Sequence, residues 1–262
     1  MKMEIIFLGS SSLVTKQKLC TSFLVKADEE IFLFEIGPGI TSQLFKLDIL
    51  CSQISGLFVS HAHFDHFIEL PYFLFLRYTE QLVRGLSLPI IPLISPRQVF
   101  ELNSYLFQNC YPKIPLQTLI EFLEPKNSGF STFKLGKFEI TAAHVKHTIP
   151  TIGCRVEVDG KVLAYSSDTI LTDNLIKLSE GVDVLVYEAL ASSSYPHLEN
   201  AAKAGFHGTA YEAGEVARKA KVKKLVLIHS DPIVKENDLI YDAKRNFAGE
   251  IYVARDLEKI EI

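Results

Sequence analysis

The chain has 262 residues, of which 48% are hydrophobic and 22% are charged, a composition typical of a globular protein with a sizeable core. Its formal net charge of −4 at pH 7 excludes a globally basic surface that would attract nucleic acid, and leaves room only for a local basic patch. The four cysteines are scattered and contain no CxxC pair, which argues for reduced thiols and against both a disulfide framework and a cysteine-type zinc site.

Two apolar stretches, at the N-terminus and at residues 68–76, are candidates for a targeting signal or a membrane span, but neither has the required sequence features. The N-terminal residues MKMEIIFLGSSS carry Glu4 inside a short apolar run, which predicts a first β-strand. Residues 68–76 are interrupted by Glu69 and Pro71 and are too short to cross a bilayer. We therefore expect a soluble cytoplasmic protein without a membrane partner, folded as a single domain over residues 1–262.

Short apolar runs that end in Gly, Asn, Asp or Ser alternate with helical patterns along the chain. Asp159 and Gly160 predict a hairpin turn between two of the runs. Because strands and helices both contribute and many strands follow one another directly, we expect an α/β or α+β fold with mixed sheets. In chain order, the sequence predicts strands at 3–9, 22–27, 31–37 and 56–60, a helix at 96–108 with Pro96 as its first residue, strands at 138–145, 153–158, 161–168 and 182–189, a helix at 208–221 and a strand at 224–231.

The segment 67–94 is unusually rich in Phe, Leu and Ile. Its pattern is compatible with a core helix followed by a strand. It is equally compatible with an apolar site entrance or with the contact face of a homodimer. Both interpretations remain open from the sequence.

Polar side chains follow or end several predicted strands at their C-terminal side, where rigid scaffolds commonly carry chemistry. Each of them alone has an ordinary explanation, but their repeated placement predicts a functional site. They are His61, His63, Asp65, His66, His147, Asp168, Glu188 and His229.

The stretch SHAHFDHF at 60–67 contains three of the eight histidines of the chain and an aspartate within six residues. His61 and His63 are two residues apart, so both imidazoles can reach one metal ion, whereas Asp65 and His66 begin a new turn that can reach a second. Zinc, or a harder ion such as manganese, accepts this mixture of ligands. The alternative is a polar turn with Asp65 as a helix N-cap, but neutral imidazoles packed together gain little without a metal.

The H-x-H-x-D-H pattern of this stretch resembles the signature of the metallo-β-lactamase fold hydrolases, and the resemblance covers most of the chain. It implies a four-layered αβ/βα sandwich, in which two mixed sheets are flanked by helices and the metal site lies at one edge between the sheets. The segments that resemble the family's glycine turn, third metal histidine, bridging aspartate and final histidine are, in the same order, LFEIGPG, HTIPTIGCRVE, YSSDT and LVLIHSD.

Carried over to this chain, the resemblance implies two divalent ions, either zinc or manganese. Such ions, about 3.5–4 Å apart, can share a hydroxide formed near neutral pH and stabilise charge on the attacked group. The implied ligands are His61, His63 and His147 for one ion and Asp65, His66 and His229 for the other, with Asp168 as the bridge.

Two further histidines are assigned to other roles. His144 competes with His147 as the third histidine ligand, but the spacing to GCR favours His147 and leaves His144 a supporting role within its strand. His197 lies in a Ser-rich segment that is typical of a surface or lid loop.

The segments YEAL and HGTAYEAGEVARKAKVKKLVLIH resemble the ribonuclease Z and phosphodiesterase branch of the family. In that branch a Glu and a His near the metals help to protonate the leaving alkoxide. The resemblance therefore implies that Glu188 and His207 form a proton relay, with Asp65 close enough to assist. Phosphodiester cleavage needs such a relay, because an alkoxide leaves poorly unless it is protonated or metal-bound. A simple helix-capping role is the alternative for His207.

Several departures from ribonuclease Z affect the predicted substrate. The Pro-x-Lys-x-Arg-Asn segment of ribonuclease Z is replaced by VTKQKL, which keeps Lys16 and has Lys18 where Arg is expected. Only residues 148–167 separate the third metal histidine from the bridging aspartate, too few for a tRNA-gripping arm. Glu35 stands where the family usually has Asp, and Glu69 where it usually has Gly.

These patterns together predict a metal-dependent hydrolase, most specifically a phosphodiesterase that acts on a cyclic or small phosphodiester, with RNA not favoured as a partner. The alternatives are ribonuclease Z-like cleavage of tRNA 3′ ends and hydrolysis of a lactone or thioester, which would not need Glu188 and His207. A di-iron redox module is disfavoured because such proteins usually have an acidic residue in place of His63. A non-catalytic scaffold is disfavoured because every candidate ligand is present.

Overall fold

The computed structural model describes residues 3–262, and its secondary structure consists of strands, α-helices and two short 3₁₀ helices. The strands are β1 (Met3–Gly9), β2 (Ser22–Ala27), β3 (Glu30–Phe34), β4 (Gly56–Phe58), β5 (Ile91–Ile94), β6 (Ile120–Leu123), β7 (Ser131–Leu135), β8 (Phe138–Val145), β9 (Thr151–Val158), β10 (Lys161–Tyr165), β11 (Val184–Glu188), β12 (Lys224–Ile228), β13 (Glu250–Val253) and β14 (Lys259–Glu261). The α-helices are α1 (Ile40–Lys46), α2 (Phe64–Phe67), α3 (Leu70–Arg84), α4 (Arg97–Cys110), α5 (Asp173–Leu178), α6 (Pro196–Ala204), α7 (Ala210–Lys219) and α8 (Glu236–Lys244).

The strands form two seven-stranded sheets. The first sheet has the order β14-β1-β2-β3-β4-β5-β6, and the second has the order β13-β12-β11-β10-β9-β8-β7. In the first sheet β3 to β6 run parallel and the remaining pairs are antiparallel. In the second sheet β10 to β13 run parallel and β7 to β10 pair antiparallel. Both sheets are therefore mixed, as predicted.

Three apolar layers hold the sheets and helices together. The layer between the sheets is aromatic, and in it Phe23 stacks on Phe34 with ring centroids 4.7 Å apart while the edge of Tyr165 approaches Phe23 at 5.1 Å. A second layer joins the outer face of the first sheet to α1, α3 and α4, and a third joins the outer face of the second sheet to α5, α7 and α8. Central strands covered on both faces read as continuous apolar runs, such as VLVYE in β11. The result is the predicted four-layered sandwich.

The predicted strands that lead into the site are shorter in the structure. Those predicted at 31–37, 56–60, 161–168, 182–189 and 224–231 end at the last residues of β3, β4, β10, β11 and β12. Beyond these strand ends, as at Ser166 and Ser167 after β10, the chain leaves the ladder. Pro96 is likewise the N-cap of α4 and not its first residue, which corrects the predicted helix start.

The segment 67–94 forms α3 and β5. Leu70, Phe73 and Leu74 are buried against the first sheet, so the core interpretation describes this face of α3. Within residues 3–262, no helix has both the length and the apolarity that a bilayer crossing requires.

Candidate metal centre and active site

The residues singled out from the sequence meet at one edge of the molecule, where strands of both sheets end. Asp168 follows β10, Glu188 is the last residue of β11 and His229 comes directly after β12. These three strands are parallel neighbours, so their carboxyl ends lie side by side. The first sheet contributes the stretch 60–67, which follows β4.

The backbone around the site adopts conformations that are rare for residues with side chains. Glu35, Ser167 and His229 have φ angles of 59°, 57° and 59°, in the left-handed region. Such residues cluster at functional sites, where the surrounding structure holds them in place. Gly37 is required for a different reason, because a Cβ there would lie 1.9 Å from the carbonyl oxygen of Asp65.

The signature stretch changes from extended chain to helix at His63, which is the N-cap residue of α2. Asp65 and His66 occupy the first turn of this helix. The alternative in which Asp65 caps the helix is therefore wrong. The Asp65 side chain points toward His66 and His229 instead.

The first cluster of side chains is formed by His61, His63, His147 and Asp168, whose potential ligand atoms all lie within 4.8 Å of one another. The Nε2 atom of His61 lies 3.0 Å from Nδ1 of His63, and Nε2 of His147 lies 3.3 Å from the same atom. The Asp168 Oδ2 atom lies 3.7 Å from Nε2 of His61.

The second cluster consists of Asp65, His66 and His229. Nε2 of His66 and Nε2 of His229 are 3.3 Å apart, and each lies 3.3–3.4 Å from Oδ2 of Asp65. Both nitrogens also lie 3.4 Å from Oδ2 of Asp168. Asp168 therefore touches both clusters.

Neighbouring groups determine which imidazole nitrogens face the clusters. Nδ1 of His147 lies 3.3 Å from the carbonyl oxygen of Phe206, which can only accept, so Nδ1 donates and the lone pair of Nε2 faces the first cluster. Nδ1 of His61 lies 2.9 Å from the hydroxyl of Ser60, which leaves Nε2 facing the same cluster. Such outer contacts orient metal-binding imidazoles.

The pKa values in the first cluster favour neutral imidazoles. Burial, reinforced by the nearby His66, holds the pKa of His61 well below its ordinary value. Burial also lowers the pKa of His63 and of His147. Neutral imidazole is the form that coordinates metals.

In the second cluster the effect of neighbouring charges on the pKa values outweighs the effect of burial. Burial lowers the pKa of His229, but the carboxylates of Asp168 and Asp65 outweigh it and raise the value to about 10. Burial raises the pKa of Asp168, yet the surrounding imidazoles, led by His229 and His66, hold it well below its ordinary range. The carboxylates of Asp65 and Asp168 therefore favour protonated imidazoles in this cluster as long as no cation takes the place of the protons.

This donor set fits a pair of divalent cations. Imidazole nitrogens that face one another at 3.0–3.3 Å repel through their lone pairs unless a proton or a cation lies between them. The Oδ1 atom of Asp168 is buried and has no hydrogen-bond partner among the described residues, so one carboxylate oxygen is free to coordinate. Nitrogen and carboxylate ligands together suit zinc, and the carboxylate share also admits manganese.

Glu188 and His207 form a hydrogen-bonded pair beside the clusters. Nδ1 of His207 lies 2.8 Å from Oε2 of Glu188 and 3.6 Å from Oδ2 of Asp168. The other oxygen of Glu188 accepts from the backbone N–H of Thr169. Burial lowers the pKa of His207, but the hydrogen bond and charge of Glu188 outweigh it, so the pKa is raised. The simple capping role is wrong for His207, because Thr209 caps α7.

An open cavity of about 540 Å³, here called the active-site cavity, gives access to these residues. His63, Asp65, Asp168, His207 and His229 line its polar part. No Lys or Arg of the described chain lines it. Its apolar wall consists of Leu13, Val14, Pro38, Phe64, Leu190 and Leu198. The segment 67–94 contributes no residue to this lining, so the site-entrance interpretation of that segment is wrong for residues 3–262.

Three other residues considered from the sequence lie outside the clusters. His144 is in β8, and its carbonyl oxygen accepts a hydrogen bond from the Asn174 side chain. His197 is exposed on α6, which corrects the predicted loop at this position. Glu69 accepts hydrogen bonds from the N–H groups of Gly39 and Thr41 at 2.6 and 2.8 Å, so it caps α1, and it does not line the active-site cavity.

Sequence reasoning assigned no function to two residues that contact the site. The buried carboxylate of Glu35 accepts from the backbone N–H of Ser60 at 3.1 Å and lies 3.5 Å from Nδ1 of His66, so it supports the signature stretch from behind. The only signal was its position where the family usually has Asp. Asp231, two residues after His229, lines the active-site cavity and carried no motif of its own.

Comparison with known proteins places the fold in a family. The ribonuclease Z of Methanothermobacter thermautotrophicus is 26% identical over 309 aligned positions, which cover 99% of this chain and 97% of that protein. The metallo-β-lactamase fold protein YhfI of Bacillus subtilis superposes with a TM-score of 0.85 at 19% identity, covering 100% of both chains. The short form of human tRNase Z superposes with a TM-score of 0.76 at 22% identity, covering 98% of each chain.

These similarities confirm a metallo-β-lactamase fold in the ribonuclease Z and phosphodiesterase-like branch. A family model described as "Anti-Pycsar protein Apyc1" matches residues 3–197. That match spans well over half of the 262 residues and includes both predicted metal clusters except His229. The chain therefore belongs to the Anti-Pycsar protein Apyc1 family and is a metal-dependent hydrolase of the metallo-β-lactamase fold.

Proposed function

We propose that this hydrolase is a dinuclear metal-dependent phosphodiesterase that acts on a cyclic or small phosphodiester. The observation that carries the proposal is the Glu188–His207 pair, at 2.8 Å, directly beside the carboxylate of Asp168, which contacts both clusters. Cleavage of a phosphodiester produces an alkoxide, which needs a proton, whereas hydrolysis of an activated lactone or thioester does not depend on such a donor.

The two clusters would each hold one divalent ion, with zinc as the first candidate and manganese as the second. When bound, the ions supply Lewis-acid stabilisation of the phosphate and lower the pKa of water. The proposed ligands are His61, His63 and His147 for one ion and Asp65, His66 and His229 for the other, with Asp168 shared between them.

Asp65 is placed to accept a proton from the attacking water. Its Oδ2 atom contacts His66 and His229, while no hydrogen bond from the described chain is recorded to Oδ1. The side chain is 30% exposed and lines the active-site cavity, so Oδ1 can reach a water molecule there. Asp65 would then act as ligand and proton acceptor.

His207 is placed to protonate the leaving oxygen. Nδ1–H of His207 donates its hydrogen bond to Glu188, which leaves the opposite nitrogen, Nε2, to donate a proton toward the cavity. The buried carboxylate also stabilises the imidazolium form, since it raises the pKa of His207. The donor form therefore persists to higher pH than in a free histidine.

Two features support a small substrate over transfer RNA. No Lys or Arg of the described chain lines the cavity, although a polyanion requires cations. Between His147 and Asp168 the chain forms only the β9–β10 hairpin, whose turn residues Asp159 and Gly160 have φ angles of 49° and 76°. The alignment to the archaeal ribonuclease Z spans 309 positions against 262 residues here, so that relative has segments without a counterpart in this chain.

Ribonuclease Z-like cleavage of tRNA 3′ ends is the second candidate. It is favoured by the relatives named ribonuclease Z, which match 97–100% of this chain at 25–28% identity. The Glu188–His207 pair could protonate the leaving oxygen of a small phosphodiester or of a tRNA. Which of the two is the substrate therefore depends on how residues outside the metal clusters bind it.

The test uses the purified full chain with its metal content measured. It is assayed on bis(p-nitrophenyl) phosphate, a panel of cyclic nucleoside monophosphates, a lactone panel and a precursor tRNA. The proposal expects cleavage of the small phosphodiesters and a strong loss on all of them in Asp65→Ala. It expects a strong loss in His207→Ala on the cyclic nucleoside monophosphates, which expel an alkoxide, and no loss in the surface control His197→Ala. Site-specific tRNA cleavage with no activity on small diesters would favour the second candidate. Lactone hydrolysis unaffected by His207→Ala, or two bound metals without phosphodiesterase activity, would refute the proposal.

A further inference from the structure

The carboxylate of Asp231 is the one acidic group of the active-site cavity that lies outside the predicted metal clusters. Asp65 and Asp168, the other two acidic residues of the lining, are each surrounded by imidazoles. Asp231 has no ion-pair partner among residues 3–262, and no Lys or Arg shares the lining with it. No Lys or Arg of the described chain therefore neutralises the negative charge of Asp231 in the active-site cavity, which the substrate must enter.

The position of this carboxylate is held by its own turn. Oδ1 of Asp231 accepts a hydrogen bond from the N–H of Ile233 at 3.0 Å, and the Asp231 N–H donates to the carbonyl oxygen of Leu190 at 3.1 Å. The carbonyl of Asp231 accepts from Val234 at 3.0 Å. Oδ2 has no recorded partner within the described chain, and the residue is only half-buried. A fixed carboxylate thus presents one free oxygen to the cavity.

We propose that Asp231 is a specificity-determining residue that restricts the active-site cavity to phosphodiesters with a single negative charge. The inference rests on the proposed phosphodiesterase function and narrows its substrate class. The reacting phosphate is attracted to the metal clusters, whereas any further phosphate on the substrate must lie in the remaining cavity. That remaining space has an apolar wall and one free carboxylate, so a second phosphate meets repulsion without a compensating Lys or Arg from residues 3–262.

The same arrangement accepts an uncharged substituent. The apolar wall of Leu13, Val14, Leu190 and Leu198 suits a nucleoside-sized group. Such a group meets no repulsion from Asp231, and its N–H or O–H groups can donate to Oδ2. The discrimination between substrates with and without a second phosphate therefore arises from the charge of Asp231. Replacement of Asp231 by an isosteric neutral side chain removes that charge.

The experiment compares two substrates with the same nucleoside and the same leaving group. One is the p-nitrophenyl ester of thymidine 5′-monophosphate, and the other carries an additional 3′-phosphate. Values of kcat/KM are measured for the metal-loaded full chain, for Asp231→Asn and for Glu101→Gln. Asn keeps the Oδ1 acceptor for Ile233. Glu101 is exposed on α4 and absent from the lining, so its substitution removes the same charge from a remote surface.

The wild-type chain is expected to prefer the substrate without the 3′-phosphate, and Asp231→Asn to reduce that preference by about fivefold. Added salt should reduce the wild-type preference and change that of Asp231→Asn much less, while Glu101→Gln behaves as wild type. A preference that is equal in Asp231→Asn and wild type, or no wild-type preference, would overturn the inference. Neither result bears on the phosphodiesterase proposal, which in this experiment fails if the metal-loaded chain hydrolyses neither diester.

Discussion

Replacement of His207 by Ala removes the proposed proton donor and leaves the metal clusters in place. The imidazole lost is the one whose Nδ1 atom lies 2.8 Å from Glu188. Glu188 keeps its second anchor, the N–H of Thr169, so the buried carboxylate does not lose all its partners. The change therefore isolates the proton transfer from the binding of the metals.

The expected magnitude depends on the leaving group. A positioned general acid contributes about 10²–10⁴-fold to the rate, equivalent to about 3–5 kcal/mol of barrier. This loss should appear in full for a diester that expels an alkoxide, such as the methyl ester of thymidine 5′-monophosphate. The p-nitrophenyl ester expels a stable anion that needs no proton, so its kcat should fall by less than about tenfold.

The assay measures kcat for both esters in the wild-type chain, His207→Ala and the surface control His197→Ala. Metal content and melting temperature are measured on the same preparations to show that the clusters and the fold are retained. His197→Ala should match wild type on both esters, because this side chain is exposed on α6. An equal loss on the two esters in His207→Ala, or no loss on the methyl ester, would refute the role of His207 as proton donor.

Four further predictions follow from the contacts around the site. Glu188→Gln removes the charge that raises the pKa of His207, so the alkaline limb of the kcat–pH profile should move to lower pH; an unchanged limb would contradict the pairing. Glu69→Ala removes the cap of α1 and should lower the free energy of unfolding by about 2 kcal/mol, measured by denaturant titration, without loss of bound metal. Asp168→Asn should lower the metal-to-protein ratio measured by mass spectrometry, because Asp168 touches both clusters; an unchanged ratio would exclude it as the shared ligand. Removal of the metals by a chelator should lower the melting temperature reversibly, since ions held at about 1,000 times their Kd stabilise by about 4 kcal/mol, and an unchanged melting temperature would argue against tight binding.

Much of the candidate metal centre was predictable because its residues are marked by local spacing. His61, His63 and His66 lie within six residues, and Asp168 and His229 each follow a run of apolar residues that could only be a buried strand. The choice of His147 over His144 also agrees with the placement of the first cluster, since only His147 has its ring within 4.8 Å of the other ligand atoms.

Contacts between distant segments were not predictable from one sequence. Glu69 caps a helix that begins some thirty residues earlier, so its substitution for the usual Gly looked like a change of substrate when it is a change of helix cap. Glu35 reaches the site only because its backbone adopts a positive φ, which no local pattern announces. Oδ2 of Asp231 is unpaired because no donor among residues 3–262 of the folded chain lies next to it, and only the tertiary structure shows this.

Strand boundaries were missed for a physical reason that concerns function. The strand predicted at 161–168 includes the site residue Asp168, yet β10 ends at Tyr165 and Ser167 has a φ angle in the left-handed region. Beyond Tyr165 the chain no longer belongs to β10, and the turn that follows directs the carboxylate of Asp168 toward the two clusters. Minor edge elements such as β13 and β14 are short and exposed in alternate residues, and their sequences carry too weak a pattern to identify.

If two ions held by these clusters make the chain a phosphodiesterase, its activity must depend on the number of ions bound. The most direct test is a titration of the metal-free chain with zinc, in which hydrolysis of bis(p-nitrophenyl) phosphate is followed against bound metal per chain. Activity should rise to a plateau at two ions per chain, and Asp168→Asn should never reach the wild-type plateau. A plateau at one ion, or two bound ions without phosphodiester hydrolysis, would contradict this expectation.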